Sequence, residues 1–171
     1  MQLKNIIRIG ILLICPLCSW GQQVWTDHNR LLPDKLRGLP SGIQLGHSPT
    51  PVYPELNTDT VNYPGKYIWK HLTQVSGGQK ELTVIEAGSF IWRKDKGWAA
   101  NIRLDNASFA DRFHCKNGVL KKGKTYTFEK NWRFGDQVYA GDALWFVIAK
   151  DAAGNLFKGI AVVETEGSIK K

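Results

Sequence analysis

The stretch "DALWFVIAKDAAGNLFKGIAVVETE", residues 142–166, decides the fold class. Its first part, 142–150, is apolar at almost every position, which is typical of a strand buried on both faces. The segment 151–155 carries the Asp, Gly and Asn that favour a turn. The last part, 156–166, is again rich in β-branched residues. We therefore expect a central strand joined to its neighbour by a hairpin.

More strand-like segments precede this hairpin, separated by short turns. They are "KYIWKHLTQV" (66–75), "ELTVIEAGSFIW" (81–92), "WAANIRL" (98–104) and "KTYTFEKNWRF" (124–134). The internal glycine of the second segment suggests a bulge. Alternation in the third predicts that its Trp and its last Leu share one face, and alternation in the fourth predicts one half-buried strand. Together these segments predict an all-β fold, an antiparallel β-sandwich with immunoglobulin-like or cupredoxin-like architecture and no metal.

One short helix is predicted at residues 107–115. Asp105 or Asn106 can accept hydrogen bonds from the first free backbone N–H groups of the helix. Phe109 and Phe113 are four residues apart, so both would face the core. The Asn-Gly pair that follows would end the helix.

The first 21 residues read as a signal peptide. Lys4 and Arg8 form a basic start, and the apolar run 9–18 has the length of a signal-peptide core. Small residues precede Gln22, where we expect cleavage; an uncleaved N-terminal anchor helix is the alternative. Cleavage would give an exported protein, periplasmic or extracellular, of a bacterial-type cell envelope, with no membrane span remaining in the mature chain.

The mature chain divides by composition into three segments. Residues 22–65 hold six of the seven prolines and predict an extended, Pro-rich lead-in. This N-terminal arm is either a flexible spacer or a long loop packed on the domain. Residues 66–166 form the β-sandwich domain, and 167–171 form a tail.

Charge and cysteine count limit the partners. Loss of Lys4 and Arg8 changes 23 basic and 15 acidic residues to 21 and 15, a net charge of +6. The densest basic stretch, Lys121 to Lys124, reads as a solvated turn, so we expect no nucleic-acid partner. Only Cys115 remains in the mature chain, which predicts a monomer without a disulfide.

The adjacent His114 and Cys115 raise the question of a metal site. The segment "VLKKGKTYTFEKN" (119–131) resembles a cupredoxin strand that follows a Lys-Gly turn. A blue-copper site needs a second His after the Cys and usually a Met; no His follows Cys115, and the only methionine is Met1. We expect no cofactor and a buried thiol, and a copper-binding cupredoxin-like protein stays a remote alternative. The other histidines considered as zinc ligands lack close spacing; they are His28, His47 and His71.

The aromatic content carries the functional hypothesis. Six of the seven tryptophans lie beyond the signal segment. Candidate binding residues on the predicted strands are Trp92, Trp98, Trp132, Tyr126 and Asn101. Exposed aromatic residues can stack on sugars or lie at the centre of a protein interface. We therefore expect a non-catalytic binding module whose partner is an envelope protein or a glycan.

An enzyme is the alternative from another class. The sequence has no nucleophile elbow, phosphate-binding loop or zinc-protease motif. Carboxylates from different strands can still converge in three dimensions, and Glu86 and Glu129 near His71 would form such a site. A small secreted hydrolase with converging carboxylates therefore remains open.

Overall fold

The computed structural model describes residues 30–170. The expected signal peptide, its cleavage site and the first residues of the lead-in lie outside the described residues. Within the described range, neither helix is long and apolar enough to cross a bilayer.

Eleven strands and two α-helices make up the described chain, and all sheet pairings are antiparallel. The elements are α1 (Asp34–Arg37), β1 (Gln44–Ser48), β2 (Glu55–Leu56), β3 (Tyr67–Trp69), β4 (Leu72–Ser76), β5 (Leu82–Arg93), β6 (Gly97–Asp105), α2 (Asn106–Arg112), β7 (Val119–Leu120), β8 (Thr125–Phe128), β9 (Arg133–Gly135), β10 (Gly141–Lys150) and β11 (Leu156–Thr165).

The strands form three sheets. The main sheet has the order β11-β10-β5-β6, with β7 also paired to β5. The second sheet has the order β1-β4-β8, and the small sheet has the order β2-β3-β9. The predicted all-β sandwich with antiparallel sheets is confirmed.

The central strand β10 is covered on both faces, as its apolar sequence predicted. Trp145 and Val147 lie in the larger core, between the main sheet, the second sheet and α2. Leu144 and Phe146 point to the opposite face, where they pack with Leu36 of α1 in a second cluster. Side chains alternate between the faces of a strand, so a strand with two covered faces is apolar throughout.

Strands β10 and β11 pair along their whole length, from Gly141 opposite Thr165 to Lys150 opposite Leu156. The turn between them is held by Asp151, whose Oδ1 accepts from the backbone N–H groups of Ala153 and Asn155, both at 2.9 Å. The hairpin predicted from this stretch is therefore present.

The N-terminal arm contributes strands to two sheets. Strand β1 pairs with β4 in the second sheet, and β2 pairs with β3 in the small sheet. Ile43 and Val52, on either side of β1, are almost fully buried in the larger core. The ammonium group of Lys158 on β11 donates to the backbone carbonyl of Leu36, which holds α1 against the main sheet.

Helix α2 forms where a helix was predicted but ends three residues earlier. Asp105 caps it by accepting from the Ser108 backbone N–H at 2.8 Å. Phe109 and Phe113 are buried and stacked, with ring centroids 4.4 Å apart. His114 has a φ of 51°, which is incompatible with a continuing right-handed helix.

A bulge in β6 makes its side chains point to faces other than those predicted from the sequence. The pairing of β5 with β6 shifts between Ser89 and Phe90, which leaves Asn101 without a partner in the register. The extra residue reverses the alternation, so Trp98 joins the outer cluster and Leu104 joins the larger core. The prediction that the two share a face was wrong.

At Gly88 the backbones of β5 and β6 approach closely, and the strand pairing continues without the bulge that was predicted there. A Cβ on this residue would lie 2.1 Å from the backbone oxygen of Ile102 on β6. The bulge in β5 lies instead at Ile85, which is skipped between the pairs that β5 makes with β10.

The aromatic stretch 124–134 is two strands and not one. Strand β8 pairs with β4 in the second sheet, whereas β9 pairs with β3 in the small sheet. A turn at Glu129 and Lys130 separates them. Period-two alternation continues across this turn in the sequence, and alternation alone does not report which strand is the pairing partner.

Candidate functional site

The small sheet has an outer face that carries aromatic and charged side chains. Directly paired residues of neighbouring strands point to the same side, and Glu55, Ile68 and Phe134 are paired in this way. Trp132 lies two residues before Phe134 and shares its side. Arg133, between them, points to the interior.

Three aromatic rings meet on this outer face. The ring centroid of Tyr63 lies 4.9 Å from that of Trp132 and 6.1 Å from that of Phe134, with interplanar angles of 46° and 58°. The ammonium groups of Lys70 and Lys130 lie 5.4 and 5.5 Å from the Trp132 ring centroid. We name these five residues the outer patch. Phe134 remains 42% exposed, so the patch is open to solvent.

Hydrogen bonds fix the loop that brings Tyr63 to the patch. The side-chain amide of Asn57 donates to the carbonyls of Tyr63, at 2.5 Å, and Gly65, at 2.8 Å. The backbone N–H of Tyr63 donates to the backbone carbonyl of Asp59 at 3.0 Å, and that of Asn57 donates to the backbone carbonyl of Lys66 at 2.9 Å. A loop with this many internal bonds loses little freedom on binding, so the patch is preorganised.

Gly65 allows the same loop to pack closely against β9. Its φ of +129° is a conformation that other residues rarely adopt. A Cβ at this position would lie 2.8 Å from the backbone of Gly135. The absence of a side chain therefore allows the loop to approach β9, which is where Phe134 and Trp132 lie.

The inner face of the same sheet borders a buried polar cluster. His71, in the two-residue link between β3 and β4, is 3% exposed, and its ring centroid lies 5.9 Å from that of the half-buried His47 on β1. The ring of Trp145 on β10 lies 6.3 Å from that of His47. Within residues 30–170, neither ring nitrogen of His71, nor Nε2 of His47, has a hydrogen-bond partner of normal geometry.

A chain of hydrogen bonds links His47 to Asn131 through Thr73. The side-chain amide of Asn131 donates to Oγ1 of Thr73 at 2.6 Å, and Nδ1 of His47 lies 2.9 Å from the same oxygen. A hydroxyl group has one proton and two acceptor sites, so Thr73 can bind both side chains at once.

Burial keeps both histidines uncharged. Burial is the main cause that lowers the pKa of His47 to about 3; the neighbouring His71 and Arg133 contribute, and a polar contact with the Ala161 backbone opposes them. Burial and the positive charge of Arg133 together lower the pKa of His71 to about 4, against an opposing polar contact with the Trp69 backbone. Burial also lowers the pKa of Arg133, which nearby Tyr139 and Asp142 partly offset. A charged form of either imidazole is therefore strongly disfavoured here.

Arg133 connects the cluster to one end of the main sheet. Its Nη1 donates to Oγ1 of Thr165 at 3.3 Å, and that hydroxyl donates to the carbonyl of Gly141 at 2.6 Å. The small sheet thus lies where β11 ends and β10 begins.

Of the five binding residues predicted from the sequence, only Trp132 belongs to the outer patch. Trp92 and Trp98 pack edge to face, 5.2 Å apart, on the outer side of the main sheet, and the Arg30 guanidinium lies 4.9 Å from the Trp92 centroid. Tyr126 is in the larger core, 6% exposed. Asn101 is the bulge residue and donates to Ser89 Oγ at 3.1 Å. The structure therefore spreads these residues over separate regions.

The carboxylates of the hydrolase alternative also lie apart from His71. Glu86 is on the outer side of the main sheet, where it pairs with Lys35 at 2.7 Å and Arg103 at 3.3 Å. Glu129 is exposed in the turn after β8. His71 is buried behind the small sheet.

His114 and Cys115 do not point to a common site. His114 is exposed, whereas Cys115 is fully buried and its Sγ donates to the Val119 carbonyl at 3.2 Å. Burial raises the pKa of the Cys115 thiol, which disfavours the thiolate that a metal would need. In the part of the chain that the structure describes, no three His, Cys, Asp or Glu side chains group closely enough to hold a metal ion.

Sequence reasoning missed most of the outer patch. Tyr63 lies in the segment assigned to the lead-in, and Phe134 was counted as part of a single long strand. A usable signal was present in "NYPGKY" (62–67) and "KNWRFG" (130–135), which both place aromatic residues beside Lys and Gly. No family model matches the chain, and a search of curated proteins finds no significant match.

Proposed function

We propose that this chain is a non-catalytic binding module of the cell envelope, periplasmic or extracellular, that captures a protein partner on the outer patch. The observation that carries the proposal is the preorganised aromatic cluster of Tyr63, Trp132 and Phe134 with lysines at its edge. Exposed aromatic residues surrounded by polar groups are typical of the centre of a protein interface.

The ring geometry favours a protein over a glycan. A sugar stacks on a flat, free ring face, but Tyr63 and two ammonium groups already lie against Trp132. The three rings are mutually tilted and do not form one plane. The separated positions of Glu86, Glu129 and His71 give the hydrolase alternative less support than the patch gives to binding.

The experiment is capture from envelope extract, run beside a glycan array, with the wild type and two variants. Trp132→Ala removes the central ring of the patch, and we expect it to weaken capture by more than about tenfold, as for an interface hot spot. Trp92→Ala is the matched control, because that ring lies on the main sheet; it should capture as the wild type does.

Thermal melts of all three proteins would show that each is folded. Capture that Trp132→Ala and Trp92→Ala weaken equally would contradict a site on the outer patch. Binding to glycans alone, lost in Trp132→Ala, would reassign the partner class. No capture by the wild type in either assay would refute the proposal.

A further inference from the structure

We propose that mild acid opens the outer patch and releases its partner, because residues 131–134 carry two rings of the patch on one face and contact the histidine cluster with the other. This inference concerns regulation of the surface named above and rests on the proposed function.

The link between the two faces is short. Trp132 lies between Asn131 and Arg133, and both of these neighbours point inward. Asn131 is 6% exposed and bonded to Thr73, while Arg133 is bonded to Thr165. The position of the Trp132 ring therefore depends on two residues of the buried cluster. A rearrangement of that cluster moves the patch.

Protonation of His47 breaks the cluster from within. Nδ1 of His47 lies 2.9 Å from the hydroxyl oxygen of Thr73. Both ring nitrogens of a protonated imidazole are donors, so the hydroxyl proton of Thr73 must then point to another acceptor. Oγ1 of Thr73 has to accept from Nδ1 and from the Asn131 amide together, which constrains the contact that holds Asn131.

Protonation of His71 adds an uncompensated charge. Its ring is 5.9 Å from that of His47, and the cationic Arg133 is close to both. The charged or titratable side chains facing the pair are Arg133 and, beyond it, Tyr139 and Asp142; Thr73 and Trp145 are neutral. Asp142 is itself paired with Arg30. In the described residues, no carboxylate is bonded to either imidazole to balance a new positive charge.

The sign and range of the pH effect follow from linkage. The ordinary pKa of histidine is 6.5, and the closed structure lowers it to about 3 for His47 and about 4 for His71. The closed state is therefore fully stable above pH 6.5 and loses stability as the pH falls. Between pH 6.5 and 4, each histidine that becomes accessible favours the open state about tenfold per pH unit.

Strand β9 is held by far fewer strand pairs than the main sheet. It has three residues and pairs with a strand of equal length, whereas β10 pairs over ten residues on one side and eight on the other. Local opening involves the parts of a fold with the fewest contacts. The acid response is consequently expected in β9 before the main sheet is affected.

Hydrogen exchange of the full chain tests this without a partner. Protection of the amides in 131–135, corrected for the intrinsic exchange rate at each pH, is compared between pH 7 and pH 5. We expect a fall of at least about twentyfold, the value for one histidine whose pKa returns from about 4 to 6.5. Amides in 143–149 of the main sheet should keep their protection.

The variant that removes the response is His47→Gln with His71→Leu. Gln can still accept from Thr73, and Leu fills the buried space of an imidazole whose nitrogens have no partner. This double variant should keep its protection of 131–135 at pH 5. If the double variant does not fold, the single variant His71→Leu is used. Its loss of protection in 131–135 between pH 7 and pH 5 should then equal the part that comes from His47 alone.

Three results would overturn the inference: no fall in wild type, an equal fall in 143–149, or an unchanged fall in the double variant. A partner captured at pH 7 should elute at pH 5 from the wild type and stay bound to the double variant. If no partner is captured at pH 7, the proposed function fails, while the exchange result still decides whether acid opens β9.

Discussion

The two faces of the small sheet contrast sharply, although the residues on them alternate along one short segment, 131–134. Trp132 and Phe134 point outward and form an exposed aromatic surface. Asn131 and Arg133 point inward and join a buried polar cluster. In this segment, whether a side chain is exposed or buried depends on which of the two alternating faces it occupies. The residue type alone does not predict it.

The largest effect expected concerns two tryptophans on opposite faces of the small sheet. Trp69 is fully buried and its Nε1 donates to the Glu166 carbonyl at 2.9 Å. Trp69→Ala should lower the free energy of unfolding by about 3–5 kcal/mol through the cavity and the orphaned carbonyl. Trp132→Ala on the outer face should cost less than about 1 kcal/mol. Urea unfolding measures the free energy of unfolding of both variants. Equal losses would contradict the difference between the buried and the exposed face.

The next effect is the dependence of stability on pH. The pKa values of His47 and His71 are lowered to about 3 and about 4. The unfolded chain therefore binds more protons below pH 6.5, and unfolding becomes easier by about 4 kcal/mol between pH 7 and pH 5. The lowered pKa values of the Asp105 and Asp151 carboxyls affect stability only at pH values below the ordinary carboxyl pKa of 3.8. Urea midpoints at both pH values measure this; a flat profile would contradict the buried neutral pair.

A smaller loss is expected from Thr73→Val, which keeps the shape of the side chain and removes its hydroxyl. The amide of Asn131 and Nδ1 of His47 would both lose their partner. Leaving two buried polar groups unpaired should cost about 2 kcal/mol or more. Thr125→Val, at an exposed position of β8, is the matched control and should be neutral. The claim fails if the two variants melt alike.

The smallest change in stability is expected from Phe134→Ala. The ring is 42% exposed and contacts Tyr63 on the surface. Its removal should change the free energy of unfolding by less than about 1 kcal/mol, yet weaken partner capture by about tenfold. A variant that unfolds easily would show instead that the patch is a structural cluster.

Local patterns predicted the parts of the fold that depend on neighbouring residues. The hairpin at 142–166 and the helix around Phe109 follow from alternation, turn residues and a capping Asp, all close in sequence. The break between β8 and β9 could not be predicted, because it depends on pairing with β4 and β3, far earlier in the chain. The bulge at Asn101 was missed for a related reason: one unpaired residue reverses a pattern without changing its composition.

The candidate site shows the same division. Trp132 was predicted from its place on an aromatic strand, and it lies in the outer patch. Tyr63 was not, because its approach depends on Gly65 meeting the backbone of Gly135, seventy residues away. The two histidines gave no periodic signal, since His47 lies on β1 and His71 lies in the link between β3 and β4.

The turn between β10 and β11, held by Asp151, has a practical consequence for handling the protein. Ten residues of strand, about 33 Å, separate this turn from the end of the main sheet that Arg133 joins to the small sheet. The turn is exposed, and the hydrogen bonds that hold it are local, between Asp151 and the three residues Ala153, Gly154 and Asn155. A biotin-acceptor peptide inserted after Ala152 would tether the molecule to a sensor chip by one pole and present the outer patch to the flowing solution at the other.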